Sequence, residues 1–313
     1  MDRLNIIVPS YNEQDVLEKF YSRIKDVMVH LENVSYKIIF VDDGSKDKTL
    51  ELIKKMAAGN QNIKYVSFSR NFGKEAAIFS GLEFSKRLGA DLIVLLDADL
   101  QDPPELILKM YEQISQNNYE VVAARRVSRK GEPKLKSFLS DKFYDLINKL
   151  SNTRIENGAR DFRMMKSYVV DSILSLREYN RFSKGLFAWV GFKTKYLEYE
   201  NVERIAGNTK WSMWKLFLYA FDGIIAFSTV PLAISSFVGF VMFFVSILWA
   251  FYIAIKTILF GDPVAGFPTL SCLILFIGSI QLFSVGILGQ YLSKVYSEVK
   301  HRPIYICKET NIN

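Results

Sequence analysis

Short runs of Val, Ile and Leu alternate with amphipathic stretches through the first 125 residues. The apolar runs predict strands over residues 4–9, 37–42, 63–68, 91–96 and 120–124. They are nearly continuous in apolar side chains, as strands covered on both faces must be. Between them, three- and four-residue spacing predicts helices over residues 13–31, 47–58, 74–88 and 104–116. Strands alternating with helices predict an α/β fold built on a doubly wound, mostly parallel sheet. Local signals agree. Asp102-Pro103-Pro104-Glu105 reads as a cap, a proline start and an acid three residues after the cap. Gly89 after Lys86-Arg87-Leu88 reads as a helix C-terminus.

Beyond residue 125 the pattern changes. Arg125, Arg126, Arg129, Lys130, Lys134, Lys136, Lys142 and Lys149 crowd a stretch whose apolar residues recur at helical spacing. That suits a basic helix lying in a membrane interface or packed on the sheet. Residues 211–222 (WSMWKLFLYAFD) predict a second interfacial helix. Residues 223–255 and 263–293 then carry no charge at all. About 20 apolar residues cross a bilayer, so these runs predict a transmembrane hairpin with spans at about 229–255 and 267–292. Lys and Arg flank the hairpin on both outer sides, and the connecting turn carries only Lys256. Both flanks are therefore expected on the cytoplasmic side of the cell membrane. The chain divides into a cytoplasmic catalytic domain (1–210), an interfacial helix (211–222), the hairpin (223–293) and a cytoplasmic tail (294–313). Two spans also leave lateral surface for self-association into a homo-oligomer.

Composition narrows the chemistry. Net charge is +7 over 313 residues, with two cysteines and two histidines. A disulfide framework, a histidine-rich zinc site and a Ser-His-Asp triad are poor fits. No signal peptide is expected, because the apolar start stops at Pro9 and reads as a strand. Neither Gly-x-Gly-x-x-Gly nor a Walker A loop occurs, which argues against dinucleotide and P-loop chemistry. The basic stretch lacks the motifs of a nucleic-acid binder. Spans without intramembrane charge argue against a transporter or flippase component.

The strand ends are acidic: Asp42-Asp43 after the second, Asp97-Ala98-Asp99 with Gln101 and Asp102 after the fourth. Ligands of open α/β sheets bind outside the carboxyl ends of strands. Alternation along an extended strand end would aim Asp97 and Asp99 to one side. With Gln101 they make a hard-cation site suited to Mg²⁺ or Mn²⁺. Asp102 reads as a turn and cap residue.

VPSYNE, VDDGSKDKT, SRNFGKEAAI and DADLQDPP, in that order, resemble family 2 glycosyltransferases of the GT-A fold. DFRMM, NRFSKGLFAWVGF, RIAGNTKWSMWKL and the closing hairpin resemble the polyprenyl-phosphate branch, which includes bactoprenol glucosyltransferases and dolichol-phosphate mannose synthase. The Gln-x-x-Arg-Trp of processive members is absent. The resemblance implies single-sugar, inverting transfer from a nucleotide sugar, UDP-glucose or UDP-N-acetylglucosamine, to undecaprenyl phosphate. It implies that Pro9, Tyr11, Glu13, Asp42, Asp43, Asp97 and Ala98 hold the nucleotide. Asp97, Asp99 and Gln101 would hold the metal, with Asp99 also counted among the catalytic residues. Asp161 would be the base or would position the acceptor or a cationic partner. For the two phosphates, cations are sought in Arg125, Arg129 and Lys134 or Lys136 on the acceptor side, and in Arg204 and Lys210 on the diphosphate side. A diacylglycerol or a growing polysaccharide is the alternative acceptor.

Overall fold

The computed structural model describes residues 1–32, 34–127, 142, 145, 147–149, 151, 153–200, 225, 228–260 and 266–312. The first half alternates as the pattern predicts: β1 (Asp2–Ser10), α1 (Leu17–Met28), β2 (Val34–Asp42), α2 (Thr49–Gly59), β3 (Ile63–Phe68), α3 (Lys74–Arg87), β4 (Leu92–Leu95), α4 (Leu106–Gln116) and β5 (Val121–Arg126). Then follow β6 (Ala159–Lys166), α5 (Ser167–Ser175), α6 (Ser183–Trp189), β7 (Thr194–Tyr199), the long helices α7 (Val230–Phe260) and α8 (Phe267–Val299), and β8 (Cys307–Thr310).

The eight strands form one sheet in the order β7-β5-β6-β4-β1-β2-β3-β8. Strands β1 to β4 are mutually parallel. β6 lies between β4 and β5 and runs antiparallel to both, so β5 again points the same way as β4. β7 is parallel to β5, and β8 is antiparallel to β3 at the far edge. Six strands thus end on one edge of the sheet. Pro9 is tolerated in the central β1 because β4 pairs only as far as Ile7; no ladder bond is lost on that side.

Alternation along the strands separates two core layers. Ile6 and Val8 pack with Phe20 and Ile24 of α1 and with Ile107 and Met110 of α4. Ile7 and Val41 face the other way, onto Ala77 and Leu82 of α3 and Val169 and Ile173 of α5. Gly81 lets α3 lie close on β1: a Cβ there would come within 2.2 Å of Ile7 Cγ2. Gly89, at φ 69°, ends α3 as its position suggests, its N–H donating to Lys86 O at 2.9 Å.

Three strands lie outside the expected pattern, β6, β7 and β8; in β7 (TKYLEY) polar residues break up the apolar run. β6 carries DFRMM, whose interleaved Arg and Asp conceal it from a search for apolar runs. β8 comes from the expected tail: residues 294–313 contain the end of α8 and an edge strand rather than a free extension. Helices α7 and α8 are each long and apolar enough to cross a membrane, and their apolar windows, Val230–Trp249 and Phe276–Val299, are not buried by the rest of the chain. The last turns of α8 reach the sheet domain. Glu298 accepts hydrogen bonds from the backbone N–H of Tyr179 and Asn180, and Lys294 Nζ donates to Asn180 Oδ1 at 3.1 Å. The interfacial helix at 211–222 and most of the basic stretch lie outside the described residues.

Candidate functional site

Because β1, β2, β3 and β4 are parallel, the loops that follow them meet on one edge. The first two are stitched together. Asn12, at φ 54°, receives Ser45 Oγ as acceptor for its N–H, and its Oδ1 accepts from Lys46 N at 2.8 Å. Glu13 N donates to Thr49 Oγ1 at 2.8 Å. These bonds engage Asn12 and Glu13, and α1 begins only at Leu17, later than the residue 13 the pattern suggests. Gly44 makes the tight turn between the loops at φ 64°, and a Cβ there would strike the Arg70 backbone at 2.4 Å.

The two acids of the second loop are buried and have separate structural partners. Asp42 accepts from Ser67 Oγ at 2.8 Å and from Ser45 N at 3.1 Å. Asp43 accepts from Phe72 N at 2.6 Å and from Gly73 N at 2.9 Å. Burial raises the Asp43 carboxyl to about 6, against the pull of those two N–H groups, with neighbouring Asp42 adding to the rise. Asp43 thereby fixes the segment Phe72-Gly73-Lys74 that opens α3.

After β4 the geometry departs from the expectation of strand alternation. β4 ends at Leu95, and Asp97–Leu100 forms a turn closed by Leu100 at φ 54°. This turn, and not an extended strand, brings Asp97 and Asp99 to the crevice, with Ala98 buried between them. Asp99 Oδ1 accepts from Gln101 N at 3.2 Å. Gln101 Oε1 is engaged by Arg160 at 3.3 Å.

Asp102 also departs from expectation. It does not cap α4, which starts at Leu106 without a side-chain cap. Its carboxylate is buried and accepts from Arg160 Nε at 3.0 Å and from the Tyr199 hydroxyl. A buried carboxylate needs such partners. The pair anchors the acidic turn to β6 and β7, elements that are remote in sequence.

Asp161 on β6 faces the same crevice. Lys74 Nζ lies between it and Asp97, at 2.6 Å from Asp161 Oδ2 and 2.8 Å from Asp97 Oδ2. Burial alone would raise Asp161, but the Lys74 charge, with Lys184 adding to it, holds it well below the ordinary carboxylate range. Burial pushes Asp97 the other way, upward, with Lys74 opposing and Asp161 and Asp99 reinforcing. Burial would lower the Lys74 ammonium, and the two carboxylates more than offset that, so it stays charged. Next to it, Glu75 accepts from Ser183 N at 3.0 Å and from the Ser183 hydroxyl, which seats α6 over the crevice. Arg163 is buried, donates to the Asp161 and Arg160 carbonyls and stacks on Phe187 at 3.7 Å.

Among the expected phosphate-binding cations, Arg125 is described. It lies on the carboxyl edge, 3.1 Å from Glu156 and 3.5 Å from Glu198. Arg129, Lys134, Lys136, Arg204 and Lys210 lie outside the described residues. Lys74, Arg160, Glu75 and Tyr199 are site residues to which the sequence motifs give no role. One signal pointed to Lys74: a lysine opens α3, where the helix dipole favours an acid.

The donor set fits a hard divalent cation. Asp97 and Asp99 offer carboxylate oxygens, and the Lys74 ammonium already stands against Asp97 as a stand-in cation. Two protein carboxylates with substrate phosphates completing the shell is the usual pattern for Mg²⁺. Among the described residues no three His, Cys, Asp or Glu side chains close a cage of their own.

The chain thus carries a mostly parallel sheet with an inserted antiparallel strand and an acidic turn at its carboxyl edge, the arrangement expected of the GT-A fold. The family model described as glycosyl transferase family 2 matches residues 5–174. The chain is 41% identical over 306 residues to an uncharacterized glycosyltransferase of Synechocystis sp., covering 98% of this chain and 95% of the other. It is 39% identical over 309 residues to the SfII prophage-derived bactoprenol glucosyl transferase of Shigella flexneri, covering 99% and 98%. It is 40% identical over 306 residues to a prophage bactoprenol glucosyl transferase homolog of Escherichia coli, covering 98% of each. The chain belongs to glycosyl transferase family 2, and its resemblance to the polyprenyl-phosphate branch extends over nearly its full length.

Proposed function

We propose that the protein transfers a single glucose from UDP-glucose to undecaprenyl phosphate, with inversion, at the cytoplasmic face of a membrane crossed by α7 and α8. UDP-N-acetylglucosamine is the second donor to test. The observation that carries this reading is the crevice where Asp97 of the acidic turn meets Asp161 across Lys74, on a chain that also bears an apolar hairpin. The names of the full-length relatives supply the sugar and the lipid.

Pro9, Tyr11, Glu13, Asp42 and Asp43 would line the nucleoside pocket, with Asp97 and Ala98 also contributing to nucleotide binding. Asp97 and Asp99 would hold Mg²⁺ or Mn²⁺, which when bound neutralises charge on the departing diphosphate. Gln101 would assist only by exchanging its contact with Arg160. The acceptor is a phosphate monoester with a second pKa of about 6. It is mostly dianionic at neutral pH, so its oxygen can attack the anomeric carbon without losing a proton. The C–O bond to the diphosphate breaks, and the electron pair leaves with the nucleotide. Asp161, held ionised by Lys74, is a weak proton acceptor in this scheme and acts on the position of its cationic partner. Arg125, with Arg129, Lys136, Arg204 and Lys210, would supply charge to the two phosphates. Residues 1–210 would form the catalytic domain, with 211–222 lying in the interface and 223–293 forming the hairpin.

The test is a donor screen. Purified protein is incubated with radiolabelled nucleotide sugars, undecaprenyl phosphate and Mn²⁺, and the lipid is extracted. UDP-glucose should label the lipid, EDTA should abolish labelling, and Asp99→Asn should reduce it by about 10²-fold or more. Labelling by no donor, or full activity in Asp99→Asn, overturns the reading.

A further inference from the structure

We propose that Lys74 is the resident counter-ion of the crevice and that it makes divalent-cation binding depend on the nucleotide. The inference rests on the metal–nucleotide reading above and deepens it.

Asp97 and Asp161 are largely withdrawn from water, and each needs a cation. Lys74 Nζ supplies one to both, at 2.8 and 2.6 Å. A free Mn²⁺ or Mg²⁺ at Asp97 must therefore displace an ammonium already in place and leave it with one of its two carboxylates, Asp161. A cation arriving with a nucleoside diphosphate faces no such loss, because the phosphates bring oxygens that can take the ammonium over. Lys74 can then leave Asp97, remain on Asp161 and reach the diphosphate.

Two features place Lys74 for this exchange. It is the first residue of α3, where the helix dipole opposes a cation, so the two carboxylates and not the helix hold it there. It directly follows Phe72 and Gly73, whose N–H groups are held by Asp43. The nucleoside side of the crevice is thus connected to the metal side through one tripeptide. Gly73, at φ 99° and with open space where a Cβ would stand, is the natural pivot.

The experiment is Mn²⁺ binding by equilibrium dialysis of the full-length, detergent-solubilised protein, with and without UDP, corrected by a UDP-only control. Wild type should bind Mn²⁺ weakly alone and at least about tenfold more tightly with UDP. Lys74→Met, close in length and uncharged, should bind Mn²⁺ alone nearly as tightly as wild type does with UDP. Lys74→Arg should keep the UDP dependence. Lys74→Gln serves as a second neutral variant should Met prevent accumulation, and thermal melting checks that each variant is folded. Equal Mn²⁺ affinity with and without UDP in wild type overturns the proposal, as does an unchanged UDP dependence in a folded neutral variant. Absence of both Mn²⁺ and UDP binding in wild type would instead remove the metal–nucleotide reading, and this inference with it.

Discussion

Asp43 shows how a single carboxyl group in this crevice does two jobs at once. It ties the start of α3 through two backbone N–H groups, yet burial raises its pKa from 3.8 to about 6. An acid raised in the folded state favours folding in its neutral form. That contribution is fully present below pH 3.8 and is lost as pH rises toward about 6. Asp43→Asn keeps an oxygen acceptor for Phe72 and Gly73 without the charge. The variant should therefore melt higher than wild type above pH 6, with the difference shrinking toward pH 4. Thermal melts across this range check it; a difference that is flat, or that grows toward acid, contradicts the assignment. Asp102 makes the complementary point. Its burial is matched by Arg160 and Tyr199, so its charge is accommodated rather than strained. At both positions the residue type was visible in the motifs, but its environment was not, because the partners of Asp102 lie 58 and 97 positions away.

Among the elements, α3 links core to crevice. One face packs on β1 through Gly81, and its first residue carries the ammonium shared by Asp97 and Asp161. Gly81→Ala would raise helix propensity by about 1 kcal/mol, yet its Cβ would collide with Ile7 in a packed interior. Overpacking costs about 1–3 kcal/mol and forces the backbone to shift. The variant should be net destabilised in denaturant unfolding of the sheet domain, and lifting α3 should also lower transfer activity. A variant as stable and active as wild type would mean the contact relaxes freely. The strand β6 is the second decisive element. It brings Asp161 beside the acidic turn by pairing with β4, although Leu95 and Asp161 lie 66 positions apart in the chain.

Over the whole molecule, the described contacts between the sheet domain and the apolar helices lie at the end of α8. After α8 the chain returns to the sheet, where β8 covers the open edge of β3. Tyr305 stacks on Phe68 and donates to Glu83, Ile312 is buried in the core, and Lys54 pairs with Glu309 at 2.6 Å. An uncovered β3 would present unpaired N–H and C=O groups, the kind of edge that recruits another chain. Deleting residues 303–313 should destabilise the sheet domain by about 2–4 kcal/mol through lost burial and shift the protein toward larger species in size-exclusion chromatography. An unchanged melting temperature and elution would show that β8 is dispensable.

The sequence by itself determined the alternating elements, the parallel core, the acid-rich loops and the two apolar helices. Each is a local property: periodicity within one element, or a motif within one loop. Only the tertiary structure decided that DFRMM is an inserted antiparallel strand and that residues 307–310 close the sheet. It also decided that Asp97 and Asp99 meet the crevice from a turn, and that Lys74 stands between Asp97 and Asp161. The physical reason is common to all of these. Strand pairing and the neutralisation of a buried charge are chosen among partners distant in the chain, by what else is left without a hydrogen bond or a counter-ion once the core has closed.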